Sequence, residues 1–232
     1  MRLTPALLEL DDKVVNIELT LASIIQGVAL YFLTDNTRGS LGLLQSVTWI
    51  YVLSGLVIIF IFWSRSIIHT LTLIRWPLEF GHNFLYIGCA LGEALLFTRV
   101  TSPVGWFEIT SIYATGVWFL FYYDLRRLRP READLASNAS RALFSMIARD
   151  QRLNLRFLVP GLLLYAVASL TCLKLAPDFL LRRQGHGWLA LGQLFTLGAY
   201  LYYVIRFFAR IAPFIRQRQE ERRALAAQSE EP

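Results

Sequence analysis

The feature that most constrains this chain is a set of apolar runs as long as a lipid bilayer is thick. They lie at 41–64, 80–98, 157–175 and 186–206, and the second is broken only by Glu93. As helices rising 1.5 Å per residue, segments of about 20 residues cross roughly 30 Å of hydrocarbon. Two weaker spans complete the set. One, at 13–33, carries Asn16, Glu18 and Gln26, and the other, at 105–123, carries Glu108 near its start. The expected fold class is all-α: a polytopic membrane protein of six transmembrane helices in a single membrane domain. With 55% hydrophobic and 17% charged residues among 232, the composition excludes a disordered chain and the ordinary soluble domain.

Six spans put both termini on one side, and basic residues mark which side. Only Arg38, Arg99, Lys174, Arg182 and Arg183, of 23 Lys and Arg, fall on the opposite face. Both termini are therefore predicted to be cytoplasmic, in the cell membrane and, for a bacterial chain, the inner membrane. Residues 124–156 read as a cytoplasmic helical loop and 213–232 as a charged cytoplasmic tail. Within the loop Leu135, Leu143, Met146 and Ile147 fall on one face, while Arg141, Arg149, Asp150 and Arg152 take others. Arg126, Arg127, Arg129 and Arg131 follow a span directly, which suits anionic headgroups. No aromatics interleave them, so nucleic acid is not an expected partner. The first apolar stretch follows Glu9, Asp11 and Asp12 in place of a basic segment, so no cleavable signal peptide is expected.

The first span carries the candidate functional face. At 100° per residue Asp12, Asn16, Thr20, Ser23 and Gly27 share one sector, and Lys13, Ile17, Thr20 and Ile24 share the next. A polar face on a membrane helix meets either a neighbouring helix or a water-filled path. Repeated around an axis, the second sector would stack a charged mouth at Lys13, apolar rings at Ile17 and Ile24 and a hydroxyl ring at Thr20, the makeup of a pore with a hydrophobic gate. Glu18 and Glu93 are acids inside spans, each needing a partner or a proton.

The run Leu10-Asp11-Asp12-Lys13-Val14-Val15-Asn16-Ile17-Glu18-Leu19-Thr20-Leu21 resembles the first-helix Phe-Ser-Asp motif of the endolysosomal potassium channels, the transmembrane protein 175 family with its bacterial six-span relatives. Asp12, Val14, Ile17, Thr20 and Leu21 match it in register. Weaker echoes are Trp63 and His69, Asn83, Ile112-Tyr113-Ala114 and Leu158-Val159-Pro160. The resemblance implies a homotetramer whose first helices line a pore for a monovalent ion, potassium in that family. It makes Ile17 the constriction, Thr20 the ion contact and Asp12 a structural carboxylate. Ala6, Leu10, Asp11 and Lys13 depart from the motif, and Ser66 and Ile67 stand in its paired-histidine region.

Elsewhere the chemistry is sparse. His69 and His82 read as interfacial and His186 as lying on the far side, without ligands. Cys89 and Cys172 read as small buried residues within spans. No nucleophile elbow, phosphate loop or metal-ligand spacing is present, so no catalytic residue, metal or cofactor is expected. The leading expectation is an ion channel that is not an enzyme. The alternative is a non-conducting membrane sensor or subunit that docks a soluble cytoplasmic partner through its basic loop. A haem-binding redox protein using His69 and His82 is a third class.

Overall fold

A computed structural model describes residues 5–38, 46–72, 80–128 and 137–230, and no strand occurs among them. The helices are α1 (Pro5–Arg38), α2 (Ser46–Thr72), α3 (Phe80–Phe97), α4 (Pro103–Arg127), α5 (Asn138–Leu153), α6 (Val159–Leu175) and α7 (His186–Glu230). Among the described residues, four stretches are long and apolar enough to cross a membrane: Val47–Thr72, Pro103–Arg126, Asn138–Leu175 and His186–Glu221. The protein is thus an all-helical membrane protein, and the predicted spans at 41–64, 105–123, 157–175 and 186–206 fall on these four.

Local sequence explains the helix starts. Before α4, Ser102 Oγ accepts from Gly105 N at 3.3 Å and Pro103 opens the first turn. Before α5, Ser137 Oγ accepts from Ser140 N at 3.1 Å. Both satisfy amides that a helix leaves unpaired.

α5 and α6 form one continuous rod. Between them Asn154–Leu158 widens into a π-turn, with Val159 N donating to Asn154 O five residues back. The cause is Pro160, which has no N–H and whose ring crowds the carbonyl of Arg156, so the backbone opens ahead of it. α7 contains Pro213 beyond its apolar part.

α2 is the central element, packed along α7 on one side and α1 on the other, while α3 and α4 pair and α4 leans on α6. Gly55 lets α2 approach closely: a Cβ there would sit 2.9 Å from Leu33 Cδ1 and 3.1 Å from Phe97 Cε1. Gly88, by contrast, has open space around it and is not a packing glycine.

A buried ion pair ties α5 to this core. Arg65 on α2 donates to Asp150 Oδ2 at 2.7 Å, and its guanidinium lies over the Phe121 ring, 4.9 Å from the centroid. Asp150 Oδ1 accepts from Tyr203 Oη at 2.7 Å and from Asn154 Nδ2 at 3.1 Å, and Tyr200 Oη donates to Asn154 Oδ1. Asp150 therefore faces inward with Leu143 and Ile147, not outward with Arg141, Arg149 and Arg152. An amphipathic wheel scores a lone Asp as solvent-facing and has no view of the arginine on another helix.

Asp150→Ala leaves Arg65 buried without its counter-charge and is expected to lower stability by about 3–5 kcal/mol. Arg65→Met combined with Asp150→Leu should recover most of that loss. Thermal unfolding of the detergent-solubilised variants checks both outcomes.

Candidate functional site

Two places in the bundle hold polar groups that packing alone does not require. The first is the outward side of α1. Ala22, Gln26, Ala29, Leu33 and Thr37 bury one face of this helix, at the spacing of successive turns. α1 lies against α2 and α3. Lys13, Asn16, Ile17, Thr20, Ser23, Ile24 and Gly27 are all exposed, Ile17 at 65% and Ile24 at 60%. Asn16, Leu19, Thr20, Ser23 and Ile24 line a shallow depression there.

Thr20 Oγ1 donates to Asn16 O at 2.8 Å and Ser23 Oγ to Leu19 O at 2.9 Å. With its hydrogen committed to the helix, each hydroxyl is left with acceptor lone pairs. The pore and gate positions expected from sequence are thus gathered on one free surface of the single chain. The side chains of Asp12 and Glu18 lie outside those described.

On the inner side, Gln26 Nε2 donates to Glu93 Oε2 at 3.4 Å, joining α1 to α3. Glu93 is fully buried, and its Oε1 and that of Gln26 have no partner among the described residues. Cys89, one turn earlier on α3, is buried with Phe62, Ala90 and Leu120, whereas Cys172 is exposed. The expectation of two buried cysteines therefore holds for Cys89 alone.

The second place is a cavity of about 120 Å³ to which all seven helices contribute, with Arg65, His69, His82, Tyr113, Asp124 and Tyr200 among its walls. At one end of it the two histidines come together, their rings stacked 4.4 Å apart and 8° from parallel. His82 Nδ1 is 2.9 Å from Asp124 Oδ1 and His69 Nδ1 is 3.5 Å from Asp124 Oδ2. Beside them Tyr86 Oη is 3.0 Å from Ser66 Oγ.

Sequence spacing conceals this cluster because its members stand on three helices. One signal does reach it: the end of the second span, the start of the third and the end of the fourth belong on the same side of a membrane. His186 stands apart, with Nδ1 3.0 Å from Tyr51 Oη near the start of α2. A bis-histidine haem needs its imidazoles on opposite faces of the iron. Face-to-face rings at 4.4 Å are a different arrangement.

Of the basic cluster after α4, Arg126 lies over the Tyr122 ring, 4.9 Å from its centroid. Arg129, Arg131 and the side chain of Arg127 lie outside those described. Comparison with protein-family models, curated proteins and solved structures finds no match for this chain.

Glu93→Leu strands the buried Gln26 amide and is expected to cost about 1–3 kcal/mol. Glu93→Gln keeps a hydrogen-bonding group of the same size and should unfold near the wild-type temperature. Equal losses from both variants would show that Gln26 depends on the carboxylate's charge.

Proposed function

We propose that the protein is a homo-oligomeric ion channel of the six-span potassium-channel type, with both termini cytoplasmic and α1 facing the axis. In this reading α1 and α3 cross the membrane beside the four apolar spans, and four copies enclose the path. The observation that carries the reading is the orientation of α1. Its apolar and small residues bury against α2 and α3, while Asn16, Thr20, Ser23 and the isoleucine rings are left uncovered. Hydrocarbon is a poor solvent for such a sector, and a second copy or a water column is a good one.

Ile17 and Ile24 form the hydrophobic gate, closing the path by excluding water from a narrow apolar ring. Thr20 meets the ion through oxygen lone pairs, since its hydrogen is held by Asn16 O. That arrangement suits a cation, potassium by the family resemblance. Lys13 sits at the mouth, with the acidic residues Asp11 and Asp12 next to it in sequence to offset its charge. Asp12 and Asn16 are the structural residues of the motif.

A second reading keeps the same surface but makes the protein a non-conducting sensor or subunit, with a soluble cytoplasmic partner on its basic loop. It is favoured by the satisfied donors of Thr20 and Ser23, which allow this face to pack on another helix without water.

Flux into liposomes separates the two. With potassium, sodium and chloride gradients measured in parallel, wild type should pass potassium, and Ile17→Asn should raise that flux several-fold by wetting the gate. Chloride preference would mean that Lys13 sets the selectivity. Absence of flux from both proteins, together with assembly changed by Thr20→Val, would support the subunit reading.

A further inference from the structure

We propose that His69, His82 and Asp124 form a binding site for a divalent transition-metal ion of the zinc class, bridging α2, α3 and α4 and open to the central cavity on its fourth side. The three donor atoms lie within 4.8 Å of one another. Ions of this class bind imidazole nitrogen and carboxylate oxygen at about 2.0–2.2 Å, which sets tetrahedral donor-to-donor edges at roughly 3.4 Å. The 2.9 Å and 3.5 Å separations run from the two imidazoles to different oxygens of Asp124 and lie near that edge, and a turn of the stacked rings that points both nitrogen lone pairs at one centre admits the ion.

The donor set has the right chemistry as well as the right spacing. Two imidazoles and one carboxylate suit borderline ions such as zinc, cobalt and nickel, and suit the all-oxygen preference of magnesium or calcium poorly. Burial favours occupancy by one specific ion over loose surface association: the side chains of His69, His82 and Asp124 are 17%, 11% and 9% exposed. The cavity supplies volume for a water as fourth ligand. Arg65 is a cation in the cavity wall, and Asp150 at 2.7 Å offsets part of the repulsion that its charge exerts at His69. Tyr86, hydrogen-bonded to Ser66, lies beside His82, its ring 6.2 Å from the imidazole.

Bridging three helices, the ion would brace the end of the bundle where α2 stops, α3 starts and α4 stops. The site stands on its own geometry and is independent of whether α1 lines a pore.

The test is equilibrium binding of Zn²⁺ to tag-free, chelator-stripped protein in detergent, followed by calorimetry, with Co²⁺ absorption as the spectroscopic reading. One ion per chain is expected, with a raised unfolding temperature. His69→Gln and His82→Gln should each weaken binding at least tenfold, and His186→Gln should leave it unchanged. Should the first two variants fail to fold, X-ray absorption of zinc-loaded wild type replaces them, and two imidazoles with oxygen at about 2.0 Å are expected. No saturable binding, binding unaltered by both histidine variants, or a sulfur ligand from Cys89 or Cys172 would overturn the proposal.

Discussion

Hydrocarbon offers no hydrogen bonds, so each polar atom inside the bundle must find its partner in protein, and that requirement organises most of what is seen here. Trp106 Nε1 donates to Gln193 Oε1 at 2.7 Å, Tyr165 Oη to Leu189 O at 2.8 Å and Trp118 Nε1 to Leu155 O at 3.0 Å. These bonds each join different helices and set their rotation. Ser and Thr side chains settle the rest locally, as Thr110 does with Trp106 O at 2.7 Å and Thr196 with Gly192 O at 2.8 Å. The ion pair of Arg65 and Asp150 is the costliest instance, since two charges leave water, and its carboxylate accepts from Arg65, Tyr203 and Asn154.

The same requirement locates the exceptions. Among the described residues, Glu93 Oε1, Gln26 Oε1, Arg65 Nη1, Gln151 Oε1 and Ser54 Oγ are buried without partners. Arg65 and Gln151 belong to the cavity wall, and Glu93 with Gln26 forms the joint between α3 and α1. Unpaired polar atoms are expensive to keep, so they mark where a protein is shaped for something other than stability. α3 carries both Glu93 and His82, which puts the α1 joint and the histidine cluster on one rigid element.

What the sequence makes legible follows from period and sign. Apolar runs of membrane length give three of the four apolar helices directly, while the fourth, Pro103–Arg126, falls on the weaker expected span at 105–123, and the run at 80–98 is not among the four found in the described residues. The 100° wheel separates the face of α1 that carries Thr20 and Ile24 from the face that carries Ala22 and Ala29. What stays hidden depends on pairs between helices. Arg65 reads as a cytoplasmic loop residue by charge alone, yet it is buried against Asp150, 85 residues away. Asp124 reads as an ordinary acid after a span until His69 and His82 are brought against it. Even Pro160, plain in the sequence, does not announce a π-turn, because the widening is one of several ways a helix can relieve a missing donor.

In the proposed pore the uncovered face of α1 meets copies of itself around water. Cysteine substitution tests it most directly, in a background carrying Cys89→Ala and Cys172→Ala. Thr20→Cys and Ile24→Cys should form disulfides between chains on mild oxidation and react with a membrane-impermeant thiol reagent, whereas Ala29→Cys should do neither. If Thr20→Cys and Ile24→Cys stay both uncrosslinked and unlabelled in the purified assembly, that face lies on lipid and the account of α1 as a pore helix is wrong.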